Sequence, residues 1–274
     1  MDRSTAIKSL FDQSGHGLEI GPSYNPFIRK SDGFDIQTVD YASRDELIKK
    51  YKNDPHAPIE NIEEVDFVTN GRPLLEVIPF RDHYDYIIAS HVIEHTPDMI
   101  AFIESCRQIL KPTGKLVLAV PDKRCCFDLF QPLSTTGQII QANLDKRWKP
   151  TPGAVFDSVA YDMLRDNSIG WMIQNQSTPV FASDIDKANN VLSIVKSDPG
   201  YTDVHVWRFV PSSFRLIIND LYKIGCIGMC ESGFISGLGN EFYTSLSATG
   251  LGSSIERIDL ALMSLKELAE VRLP

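Results

Sequence analysis

Chemistry in this chain is placed first at the ends of short apolar runs. Glu19 sits in the run Gly17-Leu18-Glu19-Ile20, which Gly21-Pro22 breaks. An acid followed by a glycine at the carboxyl end of a buried strand makes a ligand edge, because the acid offers hydrogen-bond acceptors and the glycine lets backbone approach a bound group. The plainer alternative is a strand-end acid paired with a backbone amide. A carboxylate buried at that edge is costly unless it is used, which favours the ligand. Asp40 closes a second run, Phe34 to Asp40, about twenty residues past the turn, the offset at which dinucleotide-type folds put a carboxylate on ribose hydroxyls. Far downstream, Asp203, His205 and Trp207 alternate and share one face of an extended stretch. His205 would suit a general base for a hydroxyl acceptor and Trp207 a stacking platform, although the same pattern also suits plain packing. Lys123-Arg124 and the Lys146–Lys149 run read as solvated charge rather than as an anion site.

These residues need a scaffold, and the spacing of apolar positions supplies one. Ile7, Leu10 and Phe11 predict a short amphipathic helix ahead of the first strand. A helix over Arg44 to Tyr51, a strand over Val65 to Thr69 stopped by Asn70-Gly71, and a central strand over Tyr84 to Ser90 follow. Glu94 and His95 then open the next helical stretch, where an acid suits the positive helix end. Ile100, Ile103, Cys106 and Ile109 mark a helix over Asp98 to Leu110 that Pro112 and Gly114 end, and Lys115 to Val120 is a fifth strand. Strands alternating with helices imply crossover units and a mostly parallel sheet covered on both faces.

The alternation stops at Lys123. Residues 124–210 are too long for a plain loop and read as an inserted, helical, acceptor-binding subdomain, leaving 1–123 and 211–250 as core. Ser212 to Tyr222 predicts a helix, and Cys226 to Ile235 with Glu241 to Ser247 predict an antiparallel pair around Gly237-Asn240. In the tail, 251–274, a helix from Ile258 to Leu273 shows Ile258, Leu262, Leu265 and Leu268 on one face, to dock on its own domain or on a second copy as a homodimer.

Composition narrows the partners. The chain has 274 residues, 43% of them hydrophobic, and a net charge of -9, a globular balance that argues against broad contact with nucleic acid. Its five cysteines lack zinc-ribbon spacing and read as reduced thiols of a cytoplasmic protein. No stretch reaches the roughly 18 apolar residues of a membrane span, and neither histidine nor acid spacing offers a metal pattern, so no metal is expected.

With those residues in place, the chain resembles the class I S-adenosylmethionine-dependent methyltransferases. The resemblance rests on Leu18-Glu19-Ile20-Gly21, Val39-Asp40, the stretch Asp85 to His95, and Ile109 to Leu116, and it covers residues 17–122 well and 211–248 in topology. It implies an α/β, Rossmann-like, mostly parallel seven-stranded sheet with helices on both faces, the last strand antiparallel, and a helical insertion after the fifth strand. It also implies S-adenosyl-L-methionine as cofactor, with Glu19 and Gly21 at the sulfonium and amino end, Asp40 on the ribose, Asn70 near the adenine, and Ser90 and His91 beside the methyl donor. Where the family commonly has Gly-x-Gly, this chain has Gly21-Pro22-Ser23, so Ser23 would approach the ligand instead. That departure also removes a nicotinamide fingerprint. His91, Asp122 and His205 are the acceptor-side candidates. The insertion and Gly239-Asn240-Glu241-Phe242-Tyr243 resemble enzymes that O-methylate sugars of surface polysaccharides. The alternatives are a small-molecule N- or O-methyltransferase with a non-sugar acceptor, and a non-catalytic cofactor-binding protein of the same fold.

Overall fold

The structure is a computed structural model that describes residues 2–197 and 200–271. In chain order it runs α1 (Arg3–Lys8), β1 (Gly17–Ile20), β2 (Ile36–Asp40), α2 (Arg44–Tyr51), β3 (Phe67–Val68), α3 (Leu74–Val77), β4 (Tyr84–Ser90), α4 (Met99–Ile109) and β5 (Leu110–Pro121). There follow α5 (Thr136–Leu144), α6 (Pro152–Tyr161), β6 (Met163–Leu164), β7 (Val180–Phe181), α7 (Ile185–Ser197), α8 (Pro211–Lys223), β8 (Cys230–Leu238), β9 (Glu241–Ser247) and α9 (Arg257–Ala269).

Seven strands form one sheet in the order β3-β2-β1-β4-β5-β9-β8. The first five are parallel, while β9 runs antiparallel to both β5 and β8. β1 is buried along its whole length, as a strand covered on both faces must be. Gly17 is required there, since a Cβ would meet the Tyr86 ring at 2.2 Å. The chain goes from β1 outward to β2 and β3 on one side, then crosses back from β3 to β4 on the other side of β1, so the crevice at the carboxyl ends of β1 and β4 is the topological switch point.

Local chemistry sets the element ends. Asp98 caps α4 by accepting from Ala101 N at 2.9 Å, and Met99, Ile100, Ile103, Cys106 and Ile109 bury one face against the sheet. β5 starts at Leu110, earlier than the expected Lys115, because Leu110 already pairs with Tyr84 before the register shifts to Tyr86 with Lys115. β8 starts later than the expected Cys226, which instead closes α8 by donating to Leu221 O across Gly225.

The segment between β5 and α8 is stitched to the core at both ends. Ile139 and Ala142 of α5 join the main hydrophobic cluster together with Trp207 and Phe209. Phe209 also accepts from Lys123 N beside the end of β5. α9 packs on α8, and Glu267 accepts from Ser212 N and Oγ at the start of that helix. The inward residues of α9 are Leu260 and Ser264, whereas Ile258, Leu262 and Leu265 point outward. The expected apolar stripe is thus the exposed one, and the expected helix end at Leu273 lies outside the described residues. Among the described residues no helix is long and apolar enough to cross a membrane.

Candidate active site

At the switch point the backbone turns sharply three times. Gly21 (φ 64°), Ser23 (φ 46°) and His91 (φ 52°) all take left-handed conformations directly after β1 and β4, and Asn70 (φ 48°) does so after β3. Such conformations are costly for residues other than glycine and collect where a binding surface dictates the path. Gly21 N donates to Val39 O at 2.8 Å, which fixes the turn against β2.

Asp40 is the centre of the β1–β2 side. It is 4% exposed and accepts from Ser23 N at 3.1 Å and Tyr41 N at 2.7 Å, so each oxygen keeps a further lone pair. Burial pushes its pKa up more than these two amides pull it down. Beside it, the buried Ser23 hydroxyl has no hydrogen-bond partner. A cleft lined by Pro22, Ser23, Asp40 and Leu47 opens there, and Tyr41, next in sequence to Asp40, is 46% exposed. An orphaned hydroxyl and a carboxylate with spare acceptors fit the ribose of an adenosine ligand. Asn70 is exposed just past the end of β3 and donates its backbone N–H to Tyr41 O at 3.1 Å, within the same edge. Tyr41 escaped the sequence reading, although an aromatic directly after a strand-end acid was a signal for it.

Glu19 has a different position from the one expected. It is 1% exposed and folds under the loop, accepting from Phe27 N at 2.9 Å and Ile28 N at 3.3 Å. Its role is to pin the 21–28 loop, and burial pushes its pKa up to about 7. The plainer alternative of a buried acid on backbone amides describes this geometry.

Along β4 the edge carries a polar network. Arg3 from the N-terminal helix donates to Ser90 Oγ at 2.9 Å and pairs with Glu241, while His91 Nε2 lies 2.7 Å from Glu241 Oε2 and Tyr243 donates to Glu241 Oε1 at 2.6 Å. Although burial acts upward, His91 and Arg3 hold the Glu241 carboxyl down to about 2. Ser90 and His91 lie at the carboxyl end of β4, within this network. Arg3 and Glu241 were missed.

The acceptor-side candidates separate. Asp122 is 3% exposed, and both of its oxygens accept from the Arg124 guanidinium at 2.6–3.1 Å. It is an ion-pair partner, not an acceptor-facing group. Lys123 is buried on Leu129 O, so the Lys123-Arg124 pair is a structural anchor and not solvated charge. Trp207 is 3% exposed and donates Nε1 to Thr96 O at 2.7 Å, which leaves no open ring face for a sugar.

His205 comes to the β4 edge because the 201–207 stretch clamps the turn that follows it. Val206 N and Trp207 N both donate to Glu94 O, and Tyr201 donates to His95 O. The His205 ring is 5% exposed, with Nδ1 2.5 Å from Asp128 Oδ2. Arg208 Nε donates to the other Asp128 oxygen at 3.2 Å. Against the upward push of burial, His205 and Arg208 hold the Asp128 carboxyl below its usual range. His205 Nε2 faces Glu94, whose carboxylate is fully buried, rather than open space. Glu94 and His95 lie in a tight 3-10 turn ahead of α4, not in its first turn.

Comparison with known proteins places this arrangement. A family profile described as "Methyltransferase domain" matches residues 4–177. Ubiquinone biosynthesis O-methyltransferase of Rhodopseudomonas palustris strain BisB5 is 30% identical over 110 residues, 39% of this chain and 41% of that protein. Its counterpart in strain TIE-1 is 41% identical over 46 residues, 17% of this chain and 18% of the relative. The matched region thus spans less than half the length of these curated relatives. The CcbJ methyltransferase of Streptomyces caelestis is 18% identical with a TM-score of 0.31, covering 44% of this chain and 48% of that one. The chain belongs to the methyltransferase-domain family, and its Rossmann-like sheet is the class I form of it. Members of this family draw their methyl group from S-adenosyl-L-methionine.

Proposed function

We propose that this protein transfers a methyl group from S-adenosyl-L-methionine to a hydroxyl oxygen of a small acceptor. The observation that carries the proposal is the loop edge beside the switch point, where Asp40, the unpartnered Ser23 hydroxyl and the Gly21 turn meet at the carboxyl ends of β1 and β2. The cofactor supplies a methyl group already activated on a sulfonium. Asp40 would accept from the ribose hydroxyls, Ser23 and Gly21 would line the loop against the sugar, and Asn70 with Tyr41 would border the adenine. Ser90 and His91 would sit beside the methyl end, with Glu19 holding the loop from beneath. Since the donor carries its own chemical drive, these residues contribute orientation and exclusion of water.

On the other side of the methyl, the histidine-rich turn at the end of β4 faces the acceptor. His205 belongs to it as one member of a group with His91, Glu94 and His95. The similarity to enzymes named as O-methyltransferases supports oxygen as the atom methylated. A sugar hydroxyl remains within this class, but Trp207, the stacking platform that favoured it, is buried. Incubation with methyl-labelled S-adenosylmethionine and a panel of phenols, sugars and amines tests the reading. Label in an ether product supports it, and transfer to amines alone overturns the oxygen assignment.

A further inference from the structure

The turn after β4 holds a carboxylate that the protein itself does not satisfy. Glu94 is 0% exposed, and neither of its oxygens has a hydrogen-bond partner. A buried, unpartnered carboxylate is costly and calls for a counter-charge. Three imidazoles surround it: His91 Nδ1, His95 Nε2 and His205 Nε2 each stand 3.7 Å from Glu94 Oε1. That distance is too long for a hydrogen bond. It is close to the spacing of two ligands that share one ion, which stand about 3.4 Å apart when each is bonded at about 2.1 Å in a tetrahedron.

The outer nitrogens strengthen the case. His205 Nδ1 lies 2.5 Å from Asp128 Oδ2, His95 Nδ1 lies 2.8 Å from Asp203 Oδ1, and His91 Nε2 lies 2.7 Å from Glu241 Oε2. Each ring therefore has a carboxylate behind it and its other nitrogen aimed at Glu94. A carboxylate behind an imidazole is the arrangement that fixes the tautomer of a metal-bound histidine and raises its basicity. The ligand atoms of Glu94, His95 and His205 all lie within 4.8 Å of one another.

We propose that Glu94, His95 and His205, with His91 at the rim, bind one divalent transition-metal ion whose open position takes an oxygen of the acceptor. Imidazoles with one carboxylate favour zinc, iron, cobalt or nickel over calcium, magnesium and manganese. His91 and His95 keep 34% and 28% of their side chains exposed, which leaves the ion reachable from the crevice. An acceptor hydroxyl bound there releases its proton to water more readily than a free one. His205 then acts as a ligand held by Asp128 rather than as a free base. The acceptor role rests on the methyltransferase reading; the ion site does not.

The test uses chelator-stripped full-length protein titrated with cobalt(II), read by its visible absorption and by metal analysis after desalting, with S-adenosylhomocysteine binding measured in parallel. One equivalent of cobalt with imidazole-type spectra is expected. Asp203→Asn, at a largely exposed carboxylate, should weaken cobalt binding by roughly tenfold, and Glu94→Gln by more. Wild-type protein that binds S-adenosylhomocysteine but no cobalt overturns the metal site alone. Cobalt binding without S-adenosylhomocysteine binding supports the site and overturns the donor reading. Cobalt affinity unchanged in both variants, with thermal unfolding showing them folded, also overturns the site.

Discussion

The two sides of the crevice are built from different materials. The donor side, from β1 to β3, is shaped by backbone: left-handed turns at Gly21, Ser23 and Asn70, with Asp40 held by two main-chain amides. The acceptor side is shaped by buried polar side chains, among them the Asp128–Arg208 ion pair, with Asp128, His205, Arg208 and Glu94 all at 9% exposure or less. A surface made of backbone and a few acceptors binds a ligand with little strain on the fold. Buried charges, by contrast, are tied to folding, because removing one partner leaves the other desolvated. Substitutions should therefore damage stability on the acceptor side and binding on the donor side.

The largest effect is expected at Asp128. Asp128→Ala strands His205 and Arg208 in the interior and should cost about 3–5 kcal/mol in denaturant unfolding, while the protein that remains folded binds S-adenosylhomocysteine as before. A loss below 1 kcal/mol would erase the distinction between the two sides.

Glu19 supplies a pH-dependent test on the donor side. Its folded pKa of about 7 lies above the ordinary 4.5, so the native state keeps a proton that the unfolded chain has released between these values. Stability should fall as pH rises from about 4.5 to about 7 and stay level above it. Glu19→Gln should lack this slope, a difference on the order of 3 kcal/mol across the window in thermal or urea unfolding. Wild-type stability that climbs with pH relative to the variant would show that Glu19 is held as a charge.

Smaller again is Asp40→Ala, which should weaken S-adenosylhomocysteine about 30-fold in equilibrium dialysis, near 2 kcal/mol, with unfolding changed by less than 1 kcal/mol. Equal losses in binding and stability would make Asp40 a scaffold residue like Glu19. Smallest is Trp207→Phe, which removes the hydrogen bond to Thr96 O and should cost about 1 kcal/mol of stability with no change in donor affinity.

The same contrast explains what could be read from the chain. Asp40 and the Gly21 turn were legible because a strand end, a breaker and an acid at fixed offset are local patterns, and the parallel sheet followed from alternating strands and helices. For Glu19 the strand and the burial were legible but its donors, Phe27 N and Ile28 N, were not, since spacing says that an acid is buried and not which amides it meets. The acceptor side was not legible for a topological reason. His91 finds Glu241 150 residues away and His205 finds Asp128 77 residues away, so no window contains the pair. Glu94 and His95 read as an ordinary helix start, and only the 201–207 stretch, folded back on the turn, brings His205 opposite them. On α9 the regular spacing of Ile258, Leu262 and Leu265 marked the exposed stripe, because Leu260, Ser264 and Glu267 are the residues turned inward.

Calorimetric titration of S-adenosylhomocysteine into the wild-type protein tests the central claim most directly. The account predicts one saturable site per chain with a dissociation constant on the order of micromolar. Absence of binding by folded protein would contradict it.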